Sequence, residues 1–315
     1  MINKTLIYRE FGKPNRVLQP ERVLKEKCSV HHLRVKMLYS PVNASDLIPI
    51  SGAYRHRVTL PGIAGYEGVG VVIEAPAEFS SFLGRRVLPL RGEGTWQTYT
   101  DCLPEMAIQV PDDIDDILAS RAYINPLAAR LMLRDYPPTK KNIILTAAGS
   151  DCALLLGQWA LQLGASCVYG VYRSPHHKSK LQRCGITPVQ QNDTVHLTRC
   201  AKGSDIVYDA VGGSLAEFLL GNMKRDGRFV SYGLLSGHPY KIQPASPATS
   251  WFHIRNYLDD FSNGDWQLEF SDIWRLLRKS ELNEYQLFTS NQWREAIDSY
   301  YKCGRLLKPI LMLNK

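Results

Sequence analysis

The chain has 315 residues, of which 44% are hydrophobic and 22% charged, with a formal net charge of +8. This length exceeds an ordinary single domain, so we expect two domains in a globular protein. No apolar run is long enough to cross a membrane, and no signal-peptide pattern precedes the strand-like segment Thr5–Tyr8, which favours a cytoplasmic protein. Basic residues cluster at several places, such as Arg55–Arg57 and His176–Lys178. These clusters are not interleaved with aromatic residues as in a nucleic-acid groove, so we expect no nucleic-acid partner.

The seven cysteines are scattered and never form a C-x-x-C pair. This pattern predicts reduced, mostly buried thiols and argues against a disulfide framework or a structural zinc lobe. The positions are Cys28, Cys102, Cys152, Cys167, Cys184, Cys200 and Cys303.

Residues 1–118 consist largely of short strand-like segments separated by glycines and prolines. The clearest are Leu33–Leu38, Gly68–Ile73 and Arg86–Leu90. Such a texture predicts a β-rich, barrel-like domain.

From about residue 117 the pattern becomes an alternation of strands and helices, which predicts an α/β region with a parallel, doubly wound sheet. A helical segment with a proline in its first turn opens this region. The segments are helix 124–133, strand 142–146, helix 153–163 and strands 166–172, 205–209 and 227–232.

The turn within Leu145–Ala153 lies where a Rossmann fold directs backbone N–H groups at a dinucleotide diphosphate. Only Gly149 remains of the glycine pattern, so the strand–helix–strand context carries the interpretation. We expect cofactor contacts at Gly149, Ser150, Cys152 and Ala153. Asp151 is an anion for which this interpretation has no role, and an ordinary turn without a ligand is the alternative.

The end of the second strand in this region indicates the type of cofactor. NAD-preferring sites place an acid there to accept bonds from the ribose 2′-OH. Here Tyr172 and Arg173 are followed by His176, His177 and Lys178. Cations without an acid favour the 2′-phosphate of NADPH, with Arg173 as the main contact and Tyr172 and Lys178 beside it. A solvated basic loop is the alternative.

Several motifs together resemble those of the medium-chain dehydrogenase/reductases. Pro41–Asp46 (PVNASD) and the Gly65–Gly68 stretch are similar to the active-site segments of that family, but Asn43 and Tyr66 stand where zinc-dependent members have Cys and His. Amide and phenol groups are poor zinc ligands, so the resemblance implies catalysis without metal. Further segments, 124–133, 209–213, 227–237 and 251–255, resemble 2-enoyl thioester reductases among the zinc-free members.

The resemblance implies a Rossmann domain at residues 119–254 and a β-rich, partly open barrel (GroES-like) catalytic domain from residues 1–118 and 255–315. Tyr54 would bond the thioester carbonyl or supply the proton, and Asn43 would orient the nicotinamide or substrate. Arg55 and Arg57 depart from the family pattern, and we expect them to contact a carboxylate or phosphate of the substrate, with an exposed loop as the alternative; Tyr66 would line the same site. Additional cofactor contacts would come from Asn125, Val211, Gly212, Tyr232, Gly233, Leu235, Phe252 and Ile254.

The resemblance also implies a homodimer that pairs through the strands around Phe229–Tyr232 and the segment Tyr240–Ile242. The expected activity is NADPH-dependent reduction of an activated C=C bond in a small-molecule or carrier-bound acyl substrate. A quinone oxidoreductase is the alternative enzyme, since that reaction needs no proton-donating tyrosine. A non-catalytic NADPH-binding protein is the second alternative, because the phosphate turn is degenerate.

Overall fold

The computed structural model describes residues 1–53, 55–242, 244, 246–258 and 261–314. Its first unit comprises Met1–Ile124, Phe261–Arg278 and Glu284–Lys315, and its second comprises Asn125–Asp260 and Lys279–Asn283. These divisions lie a few residues after the sequence-based boundaries at 118 and 254. The short segment Lys279–Asn283, which the sequence assigns to the catalytic domain, lies in the second unit.

The N-terminal part of the first unit is mainly β-structure. Its strands are β1 (Ile2–Tyr8), β2 (Leu18–Leu24), β3 (Leu33–Pro41), β4 (Gly62–Ile63), β5 (Val69–Glu74), β6 (Arg86–Pro89), β7 (Tyr99–Cys102) and β8 (Ala107–Gln109). Its helices are α1 (Pro14–Val17), α2 (Ala44–Ile50) and α3 (Asp116–Ala119).

The second unit begins within α4 (Ile124–Asp135) and alternates strands with helices. Its strands are β9 (Asn142–Leu145), β10 (Cys167–Tyr172), β11 (Thr187–Gln190), β12 (Ile206–Asp209), β13 (Arg228–Ser231) and β14 (Ala248–Trp251). Its remaining helices are α5 (Asp151–Gln162), α6 (Lys178–Arg183), α7 (Thr194–Gly203) and α8 (Gly213–Asn222).

The C-terminal part contains α9 (Asn263–Leu277), β15 (Tyr285–Thr289), α10 (Trp293–Tyr301) and β16 (Lys308–Met312). β16 pairs antiparallel with β3 and parallel with β15, so the tail extends the main sheet of the first unit. That sheet has the order β15-β16-β3-β5-β6-β8, and β7 also pairs with β3. A smaller sheet has the order β2-β1-β4. The hydrophobic core of the first unit includes Trp96, Trp293 and the buried residues of β3.

The second unit has a six-stranded sheet in the order β11-β10-β9-β12-β13-β14, with every neighbouring pair parallel. This is the strand order of a dinucleotide-binding Rossmann fold. The strands remain parallel throughout, but successive strands are added on one side of β9 up to β11 and on the other side from β12 onward. The expected dimer edge was wrong in one respect. β13 lies between β12 and β14, so the outer strand on that side is Ala248–Trp251.

Candidate active site

Asn43 lies at the junction between β3 and α2. Its backbone is extended, and its N–H donates to the Asp46 carboxylate at 2.7 Å. An asparagine before a helix with an acid three residues later is a typical helix N-terminus, because the acid satisfies a backbone donor that the helix leaves unpaired. The local sequence thus fixes Asn43 as the residue immediately before the first turn of α2.

The amide of Asn43 is buried and engaged at both ends. Nδ2 donates to Glu67 Oε1 at 2.6 Å, and Oδ1 accepts a hydrogen bond from the Lys308 ammonium. Because one partner accepts and the other donates, the amide can adopt only one orientation. Asn43 therefore serves here as a fixed link between Glu67 on the loop before β5 and Lys308 at the start of β16.

Glu67 is a buried carboxylate that also anchors the segment leading into α4. Its Oε2 accepts from the backbone N–H groups of Tyr123 and Ile124, at 3.1 and 2.8 Å. Burial raises the pKa of Glu67, and the Ile124 N–H and the nearby Lys308 charge partly oppose that rise. Neither Glu67 nor Lys308 was predicted from the sequence to be a site residue. Each of them is a lone charge among apolar or small neighbours in the sequence.

Asp46 is the second buried carboxylate, with a side chain only 1% exposed. Its two oxygens accept from the backbone N–H groups of Asn43 and Tyr66, the latter at 2.8 Å. Burial raises the pKa of Asp46 to about 7, the charge of Glu67 adds to that rise, and the two N–H groups oppose it. Asp46 thereby holds the backbone of Tyr66, whose side chain is half-buried.

The expected substrate residues on the loop after α2 lie in a short 3-10 turn, Arg55–Arg57, and both arginines are exposed. The Arg55 guanidinium lies 5.7 Å from the centre of the Phe11 ring, and its Nε donates to the Gly52 carbonyl at 3.4 Å. Arg55 thus folds back onto its own unit. Tyr54 lies outside the described residues.

The expected cofactor residues of the second unit follow the carboxyl ends of its parallel strands. Gly149, Ser150, Cys152 and Ala153 follow β9, whereas Tyr172 ends β10 and Arg173 and Lys178 come after it. Val211 and Gly212 follow β12, Tyr232, Gly233 and Leu235 follow β13, and Phe252 and Ile254 follow β14. Asn125 lies in the first turn of α4, where its carbonyl is 3.9 Å from the Cys152 sulfur. Because parallel strands end at one edge of their sheet, the fold brings these segments to the edge where such folds bind ligands.

The turn after β9 is shaped by small residues and by one histidine. Ser150 Oγ accepts from the Ala153 N–H at 3.3 Å and caps α5. A Cβ placed on Gly149 would come within 2.6 Å of the His177 imidazole. A side chain at position 149 would therefore force the His177 ring to move. The phenol oxygen of Tyr232 is buried and interacts with the side chain of Ser150, so it lies at the N-terminus of α5.

Asp209, at the end of β12, is a structural residue of this edge that sequence reasoning did not single out. Its buried carboxylate accepts from Thr146 Oγ1 at 2.6 Å and from the N–H groups of Val211 and Gly212 at 3.1 and 2.8 Å. Burial raises its pKa, which these hydrogen bonds oppose. Asp209 therefore ties the end of β9 to the turn after β12.

Arg173 and Lys178 are exposed, whereas Tyr172 is 8% exposed, and no acidic residue lies at the end of β10. The cations thus remain accessible to an anionic ligand.

Within the described ranges, no three His, Cys, Asp or Glu side chains converge as a metal-binding group would. None of the described helices is both long and apolar enough to span a bilayer. None of the seven cysteines, all of which lie in the described ranges, forms a disulfide, and four of them are buried.

No protein-family model matches the chain. Over 250 residues it is 29% identical to the mitochondrial enoyl-[acyl-carrier-protein] reductase of Xenopus tropicalis, covering 75% of this chain and 71% of that protein. It is 32% identical to a candidate NADPH:quinone reductase from Bacillus thuringiensis, whose crystal structure matches 99% of both chains with a TM-score of 0.92. The structure of the Etr1p complex with NADP and crotonyl-CoA shares the fold, with a TM-score of 0.84, 20% identity and coverage of 99% of this chain and 100% of that chain.

These likenesses, the Rossmann sheet and the β-rich first unit define an oxidoreductase class: the chain belongs to the medium-chain dehydrogenase/reductase family. The resemblance seen in the sequence is confirmed, as is the fold class of a Rossmann sheet with a GroES-like domain. Within the family, the chain is similar both to proteins named enoyl reductases and to a protein named a quinone reductase.

Proposed function

We propose that this protein is an NADPH-dependent reductase of activated C=C bonds, with a 2-enoyl thioester as the substrate class. The proposal is supported mainly by the ligand-binding edge of the second unit, where the capped N-terminus of α5 and the exposed Arg173 follow the ends of parallel strands. The relatives named enoyl-[acyl-carrier-protein] reductases support the choice of substrate class.

NADPH fits the donors at this edge. The first turn of α5 offers backbone N–H groups and the positive end of a helix dipole to a diphosphate. Arg173 and Lys178 offer positive charge to a 2′-phosphate, and no acid at the end of β10 competes for the ribose. When bound, the cofactor supplies the hydride that the β-carbon of the substrate accepts.

The chain's own residues would stabilise the charge that develops on the substrate oxygen. A phenol with an ordinary pKa near ~10 can donate a hydrogen bond to an enolate or protonate it, and the family resemblance gives this role to Tyr54. Asn43 has both amide ends engaged by Glu67 and Lys308, so we assign it a positioning role that fixes the loop leading to Tyr54. Arg55, Arg57 and Tyr66 remain proposed substrate contacts, and we propose that no metal takes part.

A quinone reductase is the second candidate function, favoured by the 32% identity to a candidate NADPH:quinone reductase over nearly the whole chain. That reaction needs hydride transfer but no phenol at the α-carbon. The two functions therefore differ in how they depend on Tyr54.

Assays with NADPH, in chelator-containing buffer, test the proposal on a panel of 2-enoyl thioesters, enones and quinones. Reduction of the thioesters that falls strongly in Tyr54→Phe supports the enoyl reductase. Quinone reduction that is unchanged in Tyr54→Phe, with no thioester turnover, supports the second candidate. A protein that binds NADPH but oxidises it with none of these acceptors is the non-catalytic alternative, and loss of activity in chelator would overturn the metal-free mechanism.

The cytoplasmic location stays a prediction, because the relatives are named as mitochondrial enzymes. Imaging of the full chain with a C-terminal fluorescent tag in its own cells tests it, and a mitochondrial signal would overturn it.

A further inference from the structure

Asp151 poses an electrostatic problem for the proposed cofactor site. It is the first residue of α5 and directly follows the turn that would receive the diphosphate. A carboxylate that faced the same space would repel that ligand and compete with it for the helix N-terminus. The side chain is only 6% exposed, however, and its contacts direct it toward another part of the chain.

Those contacts come from Asn283, which no sequence motif singles out. Its Nδ2 donates to Asp151 Oδ1 at 2.8 Å and to the Gly149 carbonyl at 2.9 Å, and its backbone N–H donates to Asp151 Oδ1 at 3.1 Å. The Ser150 N–H donates to the Ala147 carbonyl at 2.9 Å. The peptide between Gly149 and Ser150 is therefore held at both its carbonyl and its N–H.

The rest of the segment Lys279–Asn283 is attached to α5 and α6 without Asn283. Gln158 both donates to the Glu281 carbonyl and accepts from the Glu281 N–H, at 2.9 and 2.8 Å. Trp159 donates to Ser280 Oγ at 2.8 Å, and Lys180 donates to the Leu282 carbonyl. A substitution at position 283 thus removes contacts to the turn while the other anchors remain.

We propose that Asn283 is a positioning residue of the dinucleotide site. It keeps the Asp151 carboxylate directed away from the ligand and holds the Gly149 carbonyl, so that the turn presents its N–H groups to a diphosphate. The inference rests on the proposed use of NADPH. The role of Asn283 differs from that of Arg173. Asn283 would affect the diphosphate, which NADPH and NADH share, whereas Arg173 would affect the 2′-phosphate, which only NADPH has.

Substitution of Asn283 by Ala in the full chain tests this role, with Gln158→Ala as the matched control that loosens the same segment away from the turn. Titration of nicotinamide fluorescence gives the Kd of each cofactor. We expect Asn283→Ala to weaken NADPH and NADH alike, by about 10-fold or more, because a hydrogen bond to a charged group is lost. The KM for NADPH should rise accordingly, with little change in the KM for the acyl substrate or in kcat at saturating NADPH.

Asn283→Asp places two carboxylates together and should weaken binding further than Asn283→Ala. The exchange Asp151→Asn with Asn283→Asp restores a donor–acceptor pair and should recover part of that loss. This recovery separates a specific contact from a general loss of packing.

Unchanged Kd values for both cofactors in Asn283→Ala would overturn the inference, as would equal losses in Asn283→Ala and Gln158→Ala. A wild type that binds neither cofactor would instead refute the proposed function. In that case hydrogen exchange of the amides at 149–153 tests the positioning role directly. Faster exchange in Asn283→Ala than in Gln158→Ala supports it, and equal exchange overturns it.

Discussion

At the scale of single residues, the most unusual feature is the buried cluster of Asn43, Asp46, Glu67 and Lys308. Buried ionisable groups are costly unless hydrogen bonds and opposite charges compensate them. Here backbone N–H groups satisfy both carboxylates, while Lys308 supplies the positive charge. The cluster thus fixes the polar junction of β3, the loop before β5, and β16.

The raised pKa of Asp46 predicts an unusual dependence of stability on pH. Because the folded-state value, about 7, exceeds the usual 3.8, the folded protein binds this proton more tightly than the unfolded chain. The stability contribution is present below about pH 4 and is lost as the pH rises to about 7. Relative to Asp46→Asn, the free energy of unfolding of the wild type should fall over this range by on the order of 1 kcal/mol per pH unit.

Urea denaturation at several pH values between 4 and 8 measures this difference. Asp265 is a suitable control, because it occupies the same capping position at the start of α9 but is exposed and has a lowered pKa. Relative to Asp265→Asn, the free energy of unfolding of the wild type should change only at acid pH, and it should rise with pH rather than fall. A difference between wild type and Asp46→Asn that is flat from pH 4 to 7 would contradict the assignment.

At the scale of elements, the loop after β10 should determine the preference between the two nicotinamide cofactors. We expect the wild type to bind NADPH at least ~10-fold more tightly than NADH, because a charge-assisted hydrogen bond contributes about 1.5–3 kcal/mol. Arg173→Ala should remove most of this preference by weakening NADPH alone.

Titration of both cofactors against wild type and Arg173→Ala tests this, with His176→Ala as a control in the same exposed loop. Equal affinities of the wild type for NADPH and NADH would refute the role of Arg173.

Most elements of the second unit were predictable from the sequence, because buried parallel strands form apolar runs and helices show a distinct periodicity. The strands predicted at 142–146 and 166–172 extend over Asn142–Leu145 and Cys167–Tyr172. The cluster around Glu67 was not predictable. Asn43 and Lys308 are 265 residues apart and meet only because β16 pairs with β3, a long-range pairing that no local pattern encodes.

The role of Asn283 was hidden for a similar reason. Its segment connects α9 and β15 of the first unit, so chain order assigns it to that unit. The hydrogen bonds from Gln158 and to Asp151 place it in the second unit instead. Side-chain contacts of this kind leave no periodic signal in the sequence.

At the scale of the whole molecule, we expect a homodimer formed through β14. This strand lies at the outer edge of the second unit's sheet, and Trp251, Leu235 and Ile242 are exposed apolar residues of the same unit. An unpaired strand edge favours pairing with a second copy, which a two-fold axis would close. Light scattering should give a mass near 71 kDa, twice the 35.6 kDa of one chain.

Thr249→Pro removes a backbone donor from this edge strand and should shift the protein toward the mass of one chain. Leu24→Pro, at the end of β2 in the first unit's small sheet, is the control and should leave the mass unchanged. A wild type with the mass of a single chain at all micromolar concentrations would contradict the dimer.

We propose that this protein transfers hydride from NADPH to the β-carbon of a 2-enoyl thioester. The most direct measurement incubates the wild type with a crotonyl thioester and NADPH carrying deuterium on the transferred position, followed by mass spectrometry of the product. We expect the saturated thioester with one deuterium at the β-carbon. No saturated product, with NADPH consumed by quinones alone or by no acceptor, would contradict it.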